Sequence, residues 1–229
     1  MVNRKTSLRI RKTHRYLGVF LGLQFLMWTI SGLYFSWTDI DEIHGDHFKK
    51  EVQPLAFADL TALSTAEENV YALELKEIAG EPYYWVNDSK LIHARSGTYK
   101  PFITEEEALV IAQRHMKNEL MVSEVNLIEE TDAHHEYRGR DLPAYAISYA
   151  SDDKVTAYVS VKDGSFQTVR HRDWRWFDFL WMTHTMDYET RDDFNTTVLR
   201  AFSLLGLITV CSGFLLWGVS SPTVRKLFN

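Results

Sequence analysis

Residues 16–37 read YLGVFLGLQFLMWTISGLYFSW, 22 positions without a charged side chain. An α-helix of ~20 apolar residues, rising 1.5 Å per residue, crosses a hydrocarbon core of ~30 Å. A second run, LRAFSLLGLITVCSGFLLWGV at 199–219, carries one charge, Arg200, near its start. Both are read as transmembrane helices. Trp28, Tyr34 and Trp37 in the first and Trp217 in the second are aromatic, and those nearest the ends suit the interfacial belt. The first run is longer than the ~7–15 apolar residues of a signal peptide, and no A-x-A-like site follows it. It is read as a retained span.

The flanks set an expected orientation. Residues 1–15 hold six basic side chains and no acid, and Arg225 and Lys226 follow the second span. The positive-inside rule then keeps both tails, 1–15 and 220–229, in the cytoplasm. Between them lie 17 basic and 31 acidic side chains, so the intervening segment is acidic and expected on the periplasmic side. An acidic surface excludes nucleic acid and anionic lipid as partners of that segment. The only cysteine, Cys211, falls in the second span, so the segment has no disulfide.

The 161 residues from Thr38 to Val198 are enough for one domain or two small repeats. NVYALELKEI, EPYYWVND and KLIHARSG read as strands by alternation and aromatic content. ITEEEALVIAQRHMKNEL follows as a helix, with Thr104 and Glu107 in capping-box spacing and Ala108, Ile111 and Ala112 on its apolar face. Strands return in VSEVNLIEET, PAYAISYA, VTAYVSVKDG and SFQTVRHR. ARSGTYKPF at 94–102 and VKDGSFQTV at 161–169 share a glycine turn before a hydroxyl and an aromatic residue, which suggests repeats over about 54–102 and 103–170. Residues 173–188 place Trp174, Phe177, Trp181 and His184 at helical spacing, an aromatic amphipathic helix suited to a membrane surface. Within the spans, Gly18, Gly22, Phe25, Thr29 and Gly32 form one seam and Phe202, Gly206, Thr209 and Gly213 another. Antiparallel packing would bring Gly22 and Gly213 to one depth. A homodimer through Gly18 and Gly22 is the alternative. The fold class is thus an α+β membrane protein, two spans bracketing an antiparallel-sheet domain with helices.

Taken together, THRYLGVFLGLQFLMWTISGLYFSW, TEEEALVIAQRH, AYVSVKDGSFQTV, RWFDFLWMTHTMDY and CSGFLLWG resemble the PepSY-associated transmembrane proteins over nearly the whole chain. The resemblance implies an inner-membrane protein with a periplasmic PepSY domain, linked to iron or siderophore uptake. Some larger relatives are ferric-siderophore reductases with membrane haem held by histidines. Their recurring histidines match His14 and His184 here, whereas the chain has only two spans.

The residues themselves leave several chemistries open. Haem b takes two axial side chains, and His14, His44, His47 and His184 are the candidates, with His14 the only one on the cytoplasmic side. In WTDIDEIHGDH at 37–47, Asp41, Glu42, His44 and His47 offer the oxygens and imidazoles that an iron or zinc ion uses. On a continued helix His44 and His47 would share a face; a solvated helix exit explains the same residues. His134 and His135 read as surface loop residues. No Ser-His-Asp order, Walker loop, dinucleotide glycine motif or H-E-x-x-H is present. Expected partners are the bilayer, a ferric siderophore or metal ligand, and a second copy or a membrane transporter. A non-enzymatic module acting on a periplasmic peptidase or a membrane partner is the competing function.

Overall fold

The computed structural model describes residues 4–63 and 69–221. The chain divides into a helical unit, 1–38 with 178–229, and a β-rich unit, 39–177.

In the helical unit α1 runs Arg4–Trp37 and α5 runs Thr197–Ser220. Both contain stretches, Leu8–Trp37 and Thr197–Gly218, long and apolar enough to cross a membrane. The 34 residues of α1 extend about 51 Å, well beyond a ~30 Å core, and its first turns carry the basic residues Arg4, Lys5, Arg9 and Arg11. Thr196 caps α5, its hydroxyl accepting from the Leu199 N–H. The two helices pack against each other, and the expected glycine seam is half formed. A Cβ on Gly206 would lie 3.1 Å from the Phe25 ring and one on Gly213 would lie 3.3 Å from His14 Cε1. Gly18, Gly22 and Gly32 meet nothing within 4 Å. Gly206 and Gly213 of α5 therefore receive large side chains from α1, while Gly218 meets nothing within 4 Å, and Gly213 opposes His14 where Gly22 was expected. Knob-into-notch packing replaces glycine on glycine because an aromatic ring fills more of the available space than two bare backbones.

The β-rich unit contains two four-stranded antiparallel meanders. Strands β1 (Leu73–Ile78), β2 (Glu81–Val86), β3 (Lys90–His93) and β4 (Tyr99–Lys100) pair in that order. Strands β5 (Val122–Ile128), β6 (Ala144–Tyr149), β7 (Thr156–Ser160) and β8 (Phe166–Arg170) do likewise. Between the sheets in sequence lies α3 (Glu105–His115), whose capping box is complete: Thr104 Oγ1 accepts from the Glu107 N–H and Glu107 Oε2 accepts from the Thr104 N–H. A short α2 (Ile40–Ile43) and a 3-10 turn (Asp46–Phe48) precede the first sheet, and α4 (Arg172–Thr185) follows the second.

One core joins the sheets. Ile78, Trp85 and Leu91 of the first sheet, Ala108, Ile111 and Ala112 of α3, and Ile147, Ala157, Val159 and Val169 of the second are buried together. Gly97 and Gly164, the glycines of the repeated motif, both sit in hairpin turns at positive φ, 72° and 67°. Only the second turn is packed. A Cβ on Gly164 would lie 3.2–3.3 Å from Ile78, Ile103 and Ile111, so the β7–β8 turn seats its glycine against the first sheet and α3. Beside it Lys76 of β1 donates to Asp163 at 2.5 Å.

The Asp163 carboxyl is the more informative of that pair. Burial alone would raise its pKa, but donation from Lys76 and Ser165 outweighs burial and holds it below the ordinary carboxylate value. A depressed carboxylate stabilises the fold fully above its unfolded value, about pH 4, and the contribution is lost as pH falls through the folded value. In thermal melts of the full chain in detergent, Asp163→Asn should lower Tm at pH 7 and flatten the fall in Tm between pH 4 and pH 2. Gly164→Ala should destabilise by at least the ~1–2 kcal/mol of a left-handed residue, measured by denaturant unfolding. Gly97→Ala, with open space around it, should cost less.

Candidate functional site

The last carbonyls of any helix lack intrahelical donors. In α4 these include Thr183 and His184, and α1 supplies what is missing. Gln24 Nε2 donates to the Thr183 carbonyl at 3.1 Å and Trp28 Nε1 to the His184 carbonyl at 2.8 Å. Ser31 Oγ lies 2.7 Å from His184 Nδ1. Positions 24, 28 and 31 recur at i, i+4 and i+7, so they form one stripe along α1. The α4 helix then stops at Met186, which is buried with φ +55°.

The loop beyond is tied by Asp187. Its carboxylate accepts from the backbone N–H groups of Glu189, Thr190 and Asp193 and from the Thr190 hydroxyl. Arg191 bonds the buried Asp178 carboxylate at 2.6 Å.

His184 meets the edge of Phe35 at 5.6 Å between centroids, and Phe35 meets Trp181 at 5.7 Å. The aromatic face expected on α4 is therefore used against α1 in the helical unit. Trp174, in the β-rich unit, is covered by the Arg170 guanidinium at 4.0 Å.

His14 has a matching environment near the other end of α1. Its Nδ1 lies 2.8 Å from Ser212 Oγ, and Gly213 leaves room for the ring. Both serine hydroxyls also contact a carbonyl of their own helix, Ser31 with Met27 and Ser212 with Thr209, each at 2.7 Å. Neither histidine Nε2 has a hydrogen-bond partner among the described residues. Ser31 follows His14 by 17 positions, about 25 Å of helix, so the two imidazoles cannot bind one iron. They are the only histidines of the helical unit.

The stretch WTDIDEIHGDH breaks where a continued helix was expected. Asp39 caps α2 by accepting from the Asp41 N–H, His44 is its C-terminal cap, and Gly45 turns the chain at φ +77°. A Cβ there would lie 3.0 Å from Val169. The glycine therefore separates His44 from His47, which do not share a helical face. His44 and the Asp41 and Glu42 side chains are exposed. His47 lies tilted against Phe48 and meets His171 edge-on at 5.3 Å. His171 is buried, and its Nε2 lies 3.1 Å from both the Glu42 and Ile43 carbonyls, placed to donate to them. Burial lowers the pKa of His171, keeping it neutral at pH 7. Among the described residues no three His, Cys, Asp or Glu side chains are grouped to hold a metal ion, Asp41, Glu42, His44 and His47 included.

The loop AHHEYRGRD at 133–141, which carries His134 and His135, is more than a surface loop. Tyr137 is fully buried, stacked on Tyr158, and Glu136 accepts from the Tyr158 hydroxyl and pairs with Arg175. Burial pushes the Tyr137 hydroxyl up to about 12. Sequence reading missed this network, along with Gln24, Ser31 and Ser212. The available signal for the last three was an uncharged polar side chain inside a hydrophobic span, which is expensive to bury unless it has a partner.

No curated protein and no solved structure gives a significant match. A family model described as the PepSY-associated TM region matches residues 1–220. The paired apolar helices, the two sheets with α3 between them and the returning aromatic helix α4 all fall within that match, and the chain belongs to the PepSY-associated transmembrane family.

Proposed function

We propose that the chain is an inner-membrane PepSY accessory protein of iron or siderophore uptake that holds haem b through His14 and His184. In this reading both termini are cytoplasmic and the β-rich unit is periplasmic, as the basic residues at the two ends of the chain favour. The observation that carries the reading is the shared environment of the two histidines. Each has Nδ1 bonded to a serine and Nε2 without a described partner.

The donor set fits haem as one axial nitrogen at each end of the helical unit. Imidazole is a ligand of b-type iron, and Phe35 and Trp181 give an apolar wall beside His184. Each end offers one histidine, so His14 and His184 would each hold haem from one side, with a second copy or a partner membrane protein supplying the other residue. Haem, when bound, supplies one-electron transfer. The contribution of this chain is to orient each imidazole, to exclude water with aromatic side chains, and to hold two sites on opposite sides of the bilayer. The substrate would be a ferric complex reduced on the periplasmic side.

Absorption spectroscopy of the full chain, purified in detergent from haem-sufficient cells, tests this. The expected result is a Soret band that decreases by about half in His14→Ala or His184→Ala and disappears in the double variant. Absence of a Soret band in the unsubstituted protein sinks the proposal.

A second reading is a non-enzymatic interaction module acting on a periplasmic peptidase or a membrane partner. A groove of about 440 Å³ in the β-rich unit favours it, lined by Leu55, Val110 and Phe166 with Glu74 and Arg114. It predicts that cellular function survives loss of both histidines and that a protease or transporter co-purifies with the chain.

A further inference from the structure

We propose that Ser31 and Ser212 are positioning residues that hold His184 and His14 as the Nδ1–H tautomer and thereby present each Nε2 as a lone-pair donor. The ligand role of that donor rests on the haem reading above, whereas the tautomer does not.

The number of hydrogens at each serine decides the tautomer. A serine hydroxyl carries one, and in each case a carbonyl of the same helix stands 2.7 Å away to receive it, Met27 for Ser31 and Thr209 for Ser212. The oxygen that remains can only accept. The imidazole nitrogen 2.7 Å from Ser31 or 2.8 Å from Ser212 must then donate. This arrangement makes two hydrogen bonds at each site. In the opposite tautomer the hydroxyl would turn to Nδ1, leaving one bond in place of two and an Nε2–H donor with no described partner. Both rings are half-buried, and a hydrogen bond given up there costs stability.

The remaining contacts hold the rings in place. Trp28 and Gln24 hold the backbone of the last turn of α4, so His184 is restrained at both its carbonyl and its ring. At the other site the missing Cβ of Gly213 admits the His14 ring, 3.3 Å from where that carbon would sit. Donation from the far nitrogen to an outer oxygen acceptor is the usual way a ligating histidine is oriented and made more basic. The same device occurs at two places about 25 Å apart on α1 and involves different helices, α4 with α1 and α1 with α5.

The test is ¹⁵N NMR of the full chain labelled at histidine, in detergent, in alkaline buffer and without haem. His14→Asn and His184→Asn difference spectra assign the two signals. Both are expected to show Nδ1 protonated and Nε2 bare. Ser31→Ala should convert the His184 signal, and Ser212→Ala the His14 signal, to a tautomer mixture. Ser31→Thr and Ser212→Thr keep the hydroxyl and should restore the original pattern. Circular dichroism and monodisperse elution identify the variants that remain folded, and where an alanine variant does not fold the tautomer of the unsubstituted protein decides the outcome. An Nε2–H pattern in the unsubstituted protein overturns the proposal, as does an unchanged pattern in folded alanine variants. Absence of haem with the expected tautomers removes the ligand role alone, so the two failures are distinguishable.

Discussion

The helical unit depends on one constraint: polar groups removed from water must find partners inside the protein. The end of α4 exposes carbonyls that its own backbone cannot satisfy. Gln24 and Trp28 donate to two of them, and Ser31 receives the His184 ring one turn further along α1. These three side chains share one stripe, so the last turn of α4 is attached to a single face of a span. In hydrocarbon, where burying apolar surface gives little drive for helix association, such bonds and close packing set which helix faces meet. The glycines of α5 add the second determinant, since Phe25 and His14 settle into the spaces at Gly206 and Gly213.

The β-rich unit is held by a different force. Its two meanders make separate hydrogen-bond ladders, and a common apolar core makes them one unit. Burial of a single Ile or Leu side chain contributes about 1.5–3 kcal/mol, so the side chains gathered around α3 outweigh any one polar contact. Geometry still matters at the β7–β8 turn. Gly164 lets three isoleucines close over it, and the ion pair of Lys76 with Asp163 fixes the neighbouring strand in register with that turn.

Functionally, a carboxylate-rich stretch and a pair of lone histidines exchange importance once their surroundings are known. Asp39 caps a helix, Gly45 turns the chain and His171 receives the turn, so these residues of WTDIDEIHGDH shape the chain where it enters the β-rich unit. His14 and His184, by contrast, have side-chain partners on one nitrogen and none described on the other. Half-buried His115 differs in the kind of partner: its Nδ1 lies 2.8 Å from the Ile111 carbonyl of its own helix, and its ring stacks on Phe166.

The order of residues alone determined the two apolar helices, the capped α3, the strands and the aromatic α4, because each rests on periodicity or capping among neighbours a few positions apart. It also marked His14 and His184, through their match to a family pattern. The tertiary structure decided which histidine meets which serine, that Gly213 opposes His14 and not Gly22, and that Glu136 and Tyr137 belong to a buried network. Ser31 and His184 are 153 positions apart, and His14 and Ser212 are 198 apart. No local propensity encodes such pairings; they follow from which helix faces pack together and from the requirement that every buried donor find an acceptor.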